Sequence, residues 1–190
     1  KRPNKFYIEA LSLLSNADEY DINLLLTPGI VDNAGGAHTG IVSKGIDICE
    51  SRGDAFYIYD IVENPVSNIA SVTELASTRD SNYAATYWPW VQVADNQTGT
   101  FRWVPPSVVM AGIYSFNDKV AAPWFAPAGL NRGGLDTVIQ AARKLTHANR
   151  DDLYDANVNP IATFPGQGVV VFGQKTLQKK ASSLDRVNVR

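Results

Sequence analysis

The sequence predicts an α/β domain, with a mixed sheet built from βαβ units, helices packed on the sheet and a β-hairpin towards the C-terminal end. Three observations predict it. An apolar run at 21–30, a helically spaced segment at 41–49 and an aromatic, β-branched run at 55–62 follow one another in strand–helix–strand order, the order of a parallel unit. Two β-branched runs flank Pro165-Gly166, as in a hairpin. With 45% hydrophobic and 19% charged residues among 190, the chain can bury one sizeable core and has none of the marks of a disordered polymer.

In chain order, Ile22, Leu24, Leu25 and Leu26 form a buried-strand pattern that Pro28-Gly29 should stop. A Gly-rich turn at 33–39 follows. Ile41, Gly45 and Ile48 then share a helical line with Val42, Ile46 and Cys49 beside it, and Gly53-Asp54 closes the helix. The run 55–62 is the second strand. A polar turn at 63–68 leads into a helix in which Ile69, Val72, Thr73 and Ala76 share a face. Residues 83–93 read as a third strand, with Pro89 placing it at a sheet edge or a bulge.

The turn at 95–99 and a short strand at 100–104 come next, then a helix opened by Pro105-Pro106-Ser107, since proline is tolerated in a first helical turn. The clearest helical pattern is 135–147. There Leu135, Val138, Ile139, Ala142 and Leu145 make one apolar stripe, with Asp136 near the start and Arg143, Lys144 and His147 near the end, as the macrodipole favours. Strands at 161–164 and 168–172 flank the hairpin turn, where Gly166 and Gly168 serve the fold rather than a ligand. Residues 184–190 alternate, with Asp185, Val187 and Val189 on one face, and predict a last strand. The lack of an initial Met and a strand that runs to the final residue predict an excised piece of a longer protein.

The function classes narrow by exclusion. A formal net charge of -2, with 17 Lys and Arg scattered, lacks the basic stripe of a nucleic-acid binder. No uncharged run of 18 apolar residues predicts a membrane span, and no signal peptide opens the chain. The single Cys49 excludes an internal disulfide and reads as a buried structural thiol. Gly35-Gly36-Ala37-His38-Thr39-Gly40 opens a helix where backbone amides can hold a phosphate. It lacks the Lys-Ser/Thr pair of a P-loop and the dinucleotide fingerprint, so a plain turn is the favoured reading.

His38 and His147 are the only histidines, with no Gly-x-Ser-x-Gly motif beside them. No His or Cys pair has metal-ligand spacing. Asp151, Asp152 and Asp155 lack the pattern of a calcium loop and read as a helix start with solvated carboxylates. No catalytic, cofactor or metal residue is assigned. The tryptophans Trp88, Trp90, Trp103 and Trp124 lie mostly beside prolines or turns. They are divided between core packing and burial against neighbouring chains.

Tyr83-Ala84-Ala85-Thr86-Tyr87-Trp88-Pro89-Trp90 and Val104-Pro105-Pro106-Ser107-Val108-Val109-Met110-Ala111-Gly112-Ile113-Tyr114 resemble the core of contractile tail sheath proteins of the T-even type. The resemblance continues through Asn117-Asp118, Ala126-Pro127-Ala128-Gly129 and Asp155-Ala156-Asn157-Val158-Asn159-Pro160-Ile161. It ends with Gly166-Gln167-Gly168 through Leu177 and with Val187-Asn188-Val189-Arg190. Departures fall where many relatives carry Trp-Gly-Ala-Arg-Thr-Leu and this chain has Phe172-Gly173-Gln174-Lys175-Thr176-Leu177. A second falls where they carry Ala-Arg-x-Asp and this chain has Ser115-Phe116-Asn117-Asp118. Two arginines are lost, with any ion pairs they make.

The resemblance implies a non-enzymatic subunit, without cofactor, that stacks as hexameric rings around an inner tube and contracts to drive the tube through the host envelope. Its implied partners are other sheath subunits, the tail tube protein, and baseplate and tail terminator proteins. Its implied place is the virion tail, and the host cytoplasm during assembly. Residues 1–180 would be the sheath core domain and 181–190 the start of a truncated arm. Arg143 and Lys144 become possible tube contacts, and Leu184, Val187 and Val189 a possible intersubunit strand. Two alternatives stay open: the sheath of a bacterial contractile injection apparatus, and a nucleotide-binding or hydrolytic α/β enzyme.

Overall fold

The computed structural model describes residues 2–33, 36–64 and 68–189. Parts of the predicted turns, Ala34 and Gly35 and residues 65–67, and the terminal Arg190 lie outside the described residues. Helix α1 (Arg2–Leu13) leads into β1 (Leu24–Val31), α2 (Thr39–Arg52), β2 (Phe56–Asp60), α3 (Ile69–Ala76) and β3 (Ala84–Trp88). Strands β1, β2 and β3 pair in parallel in that order, so the two predicted βαβ units are present. Strand β7 (Val158–Phe164) adds in parallel to β3, and β8 (Gly168–Val171) closes the five-stranded sheet antiparallel to β7. The sheet is therefore mixed, and its last two strands are the predicted hairpin. Gly166 and Gly168 hold φ of 75° and 76° in its turn, a conformation side chains resist.

Both faces of this sheet are covered, which is why β2 and β3 read as continuous apolar runs. Alternation splits each strand between two cores. Tyr57, Tyr59, Ala84 and Trp88 face α2, α3 and α5 (His147–Asp155), packing with Ile41, Val42, Cys49, Val72 and Leu153. Phe56, Ile58, Ala85 and Tyr87 face α4 (Pro106–Val120), packing with Met110, Ile113 and Tyr114. A 2.8 Å hydrogen bond between the Tyr87 and Tyr114 hydroxyls joins α4 to β3 inside the second core. On the first face, α2 lies so close to β2 that a Cβ at Gly45 would stand 2.8 Å from the Tyr57 ring.

Four sequence expectations need correction. Pro28-Gly29 does not end β1, which runs on to Val31 with a register irregularity after Leu26. As the edge strand, β1 loses no ladder bond to a proline. Residues 83–93 are two strands: β3 ends at Trp88, and β4 (Val91–Asp95) belongs to a separate antiparallel sheet with β5 (Thr100–Val104) and β6 (Val138–Ala141). Pro89, with a cis Trp88–Pro89 peptide, has no N–H to continue the β3 ladder.

The third correction is the largest, because 135–147 is not a helix. Val138, Ile139 and Gln140 lie in β6, which takes the open edge of β4, and helix α5 begins only at His147. The stripe splits between environments: Leu135 joins the α4-side core, Leu145 the opposite core, and Ile139 is 47% exposed. A Thr146–Asn149 capping box fixes the true start of α5. His147 therefore opens a helix rather than closing one, and Asp151, Asp152 and Asp155 fall in the later part of α5.

The fourth correction is at the C-terminal end, where the described residues 184–189 of the predicted strand 184–190 are not a strand. Two 3-10 turns, Ser183–Asp185 and Val187–Val189, carry the segment, and one bridge pairs Arg186 with Lys175. Val187 is 0% exposed within the α4-side core, and its N–H donates to Gln174 O at 2.8 Å.

Candidate assembly surfaces

Two buried carboxylates, Asp32 and Asp60, are held by partners within the fold. At the N-terminus of α2, beside the predicted Gly-rich turn, the Arg79 guanidinium donates Nε to Asp32 Oδ2 at 2.9 Å and Nη2 to Asp32 Oδ1 at 3.0 Å. Its Nη1 donates to Ser43 Oγ at 2.8 Å. An internal cation thus stands beside the first turn of α2, where a phosphate would have to sit. At the end of β2, Asp60 accepts from Ser107 N at 3.0 Å and Ser107 Oγ at 2.7 Å. The carboxylate covers the N-terminal turn of α4, and burial pushes its pKa up to about 6. Cys49 is buried, and burial pushes its thiol up to about 12, the state of an inert thiol.

The segment with the motif Asn157-Val158-Asn159-Pro160 is a backbone clamp. Buried Asn159 donates Nδ2 to Thr86 O at 3.2 Å and to Lys175 O at 2.8 Å, and accepts from Lys175 N at 2.7 Å. Asn157, with a positive φ of 62°, donates Nδ2 to Gln178 O at 3.2 Å. Residues 173–178 are held across the ends of β3 and β7, and Leu177 N donates to Ala84 O. The C-terminal turns dock on this segment through Thr176 N to Asp185 O and Thr176 Oγ1 to Leu184 O, both 3.0 Å.

The residues assigned from sequence do not form one surface. Arg143 and Lys144 lie in the coil between β6 and α5, not on a helix face. Lys144 is exposed, whereas half-buried Arg143 places its guanidinium 5.9 Å over the Trp88 ring. Leu184 is exposed in its turn, and Val187 points into the core. The tryptophans divide as the sequence left open: Trp88 is in the core, Trp90 donates Nε1 to Val62 O, and Trp103 and Trp124 are exposed.

Trp124, which the sequence left open to burial against neighbours, is 70% exposed, whereas the exposed apolar side chains at the end of α4 were missed. Phe116 and Val120, one turn apart near the end of α4, are exposed too, as are Phe125 and Leu130 in the loop beyond it. The i, i+4 spacing of Phe116 and Val120 was the available signal. Among the described residues no group of His, Cys, Asp or Glu is arranged to hold a metal, and no helix is long and apolar enough to cross a membrane.

The α/β domain leaves several large aromatic side chains exposed, among them Phe101, Trp103, Phe116 and Trp124. Residues 6–177 match the phage tail sheath protein central domain, and the chain belongs to that family. It is 41% identical over 111 residues to the tail sheath protein of Vibrio phage KVP40, covering 58% of this chain and 16% of that protein. It is 38% identical over 110 residues to that of Enterobacteria phage T4, covering 58% and 17%. The matched stretch thus spans less than a fifth of the length of these relatives. Among solved structures, the sheath complex of an extracellular contractile injection system, PVC, in its contracted state superposes with a TM-score of 0.71 at 25% identity. That match covers 95% of this chain and 47% of the other.

Proposed function

We propose that the chain is the central α/β domain of a contractile tail sheath subunit, a structural part without a catalytic step. The subunit stacks as hexameric rings around an inner tube and shortens to drive the tube through the host envelope. The family match over residues 6–177, on a fold shared with a contracted sheath, is the observation that carries this reading. The partners it requires are other sheath subunits, the tail tube, the baseplate and the tail terminator. Its place is the virion tail, after assembly in the host cytoplasm. Within this reading, residues 1–180 form the core domain and exposed Leu184 in the 181–190 segment meets a neighbouring subunit, while Val187 stays in the domain's own core and Arg143 and Lys144 face the tube. Two packings of one subunit that differ in their contacts are sufficient to store and release the energy of contraction.

A bacterial injection sheath is the second reading, favoured by the likeness to the PVC sheath. Higher identity to two phage sheaths places the phage reading first. Negative-stain microscopy of the full-length subunit tests the proposal. Striated tubes are expected, and a protein that stays monomeric at all concentrations, with or without tube protein, would overturn it.

A further inference from the structure

The small antiparallel sheet of β5, β4 and β6 turns its two faces to different surroundings. Val91 is buried in the α4-side core, and Val104, Val138 and Ala141 pack against that core, so one face is closed. On the other face the register sets Gln92 opposite Trp103 and Ala94 opposite Phe101, with Gln140 of β6 beside Gln92. There Phe101 is 64% and Trp103 38% exposed. β5 is an edge strand, and a methyl group is all that β4 sets against the Phe101 ring.

The chemistry of this open face is narrow. Its two aromatic rings stand two residues apart on one strand, about 7 Å along it. Gln140 Nε2 donates to Gln92 Oε1 at 2.8 Å, which sets two carboxamides side by side next to Trp103. A carboxamide has two donors and an acceptor, so each keeps hydrogen-bonding capacity beyond this bond. None of the five side chains is charged. The two charged residues of the hairpin, Asp95 and Arg102, share the opposite face and bond to each other at 2.7 Å.

A partner that carries phosphates or carboxylates would meet no counter-charge on this face. A hexopyranose presents an apolar C–H face that lies on an aromatic ring and a rim of hydroxyls that both donate and accept. Two rings beside two carboxamides match both parts. We propose that the open face of the β5–β4–β6 sheet binds a neutral polysaccharide. Successive sugars stack on Phe101 and Trp103, and their hydroxyls bond to Gln92 and Gln140.

Affinity electrophoresis of the 190-residue chain in native gels that contain dextran, hydroxyethylcellulose or galactomannan tests the proposal, with dextran sulfate as the anionic control. At least one neutral polymer should retard the parent. Phe101→Ala and Trp103→Ala should each weaken that binding about tenfold or more, with Trp103→Tyr closer to the parent. Gln92→Leu with Gln140→Leu should weaken it while the rings remain. Trp124→Ala, which removes an exposed aromatic elsewhere, should bind like the parent. All of these side chains lie at the surface, so unchanged urea midpoints should show that each variant is folded. Retardation by none of the neutral polymers, stronger retardation by dextran sulfate, or binding that survives Phe101→Ala with Trp103→Ala would overturn the proposal. Self-association of the parent that this double variant abolishes would give the face to a second copy and overturn it too. The sheath reading stands under each of these outcomes.

Discussion

Ser107 gives both of its donors to one carboxylate, Asp60, from N at 3.0 Å to Oδ1 and from Oγ at 2.7 Å to Oδ2. The pair ties the end of β2 to the start of α4, whose first positions are prolines and offer few donors of their own.

Burial of the Asp60 carboxyl makes stability depend on pH. Burial raises the folded-state pKa of Asp60 to about 6, against about 3.9 in an unfolded chain. The folded state therefore holds the extra proton between the two values. This contribution is complete below about pH 4, falls as pH rises through about 6 and is absent above, a change on the order of 3 kcal/mol. Urea titrations from pH 4 to 7.5 should show this fall in the parent, and the parent-minus-Asp60→Asn difference should isolate it. An equal slope in both proteins would refute the assignment.

Gly45 sets the approach of α2 to β2. A Cβ there would lie 2.8 Å from a ring carbon of Tyr57, whose hydroxyl is held by Thr27 Oγ1 at 2.7 Å. Gly45→Ala should cost about 1–3 kcal/mol by overpacking. Tyr57→Leu should cost less in the Gly45→Ala background than in the parent, a coupling that a double-mutant cycle on urea midpoints reads directly.

Asn159→Leu keeps most of the volume and removes every partner of the clamp. Thr86 O, Lys175 O and Lys175 N would lose their side-chain partner, at about 3 kcal/mol or more in total. Hydrogen exchange should show the Lys175 amide losing protection first. Uniform loss across the sheet would mean that the clamp is not local.

Val187→Pro removes the N–H that reaches Gln174 O and disturbs a fully buried side chain. It should lower the stability of this chain by about 2–4 kcal/mol, read from its urea midpoint. A strand peripheral to the core, as the alternation of 184–190 suggested, would instead leave the midpoint almost unchanged.

The parts of the fold legible in the sequence are those whose pattern and environment agree. β2 reads as a strand because both of its faces are buried, and α2 because Ile41, Val42, Ile46 and Cys49 share one packed face. The illegible parts are those that distant residues decide. The stripe from Leu135 to Leu145 has helical spacing, yet the unpaired edge of β4 captures Val138 to Ala141. Val187 and Val189 alternate like a strand, yet the nearest backbone partner, Gln174, admits one bond before the chain turns. Of the assembly surface, exposed Trp103 and Trp124 were foreseen as possibilities. The stacking of Arg150 on Phe164 and Phe172 was not, because the three meet only once β7, β8 and α5 are in place.

The Asn159 clamp gives the domain a short load path. Tension applied at Val187 passes to Gln174 through one backbone bond, and from Lys175 to Asn159 in β7 and from Leu177 to Ala84 in β3. Pulling on the C-terminal turns thus loads the middle strands of the five-stranded sheet rather than peeling an edge, so the terminal segment and the central strands should yield together.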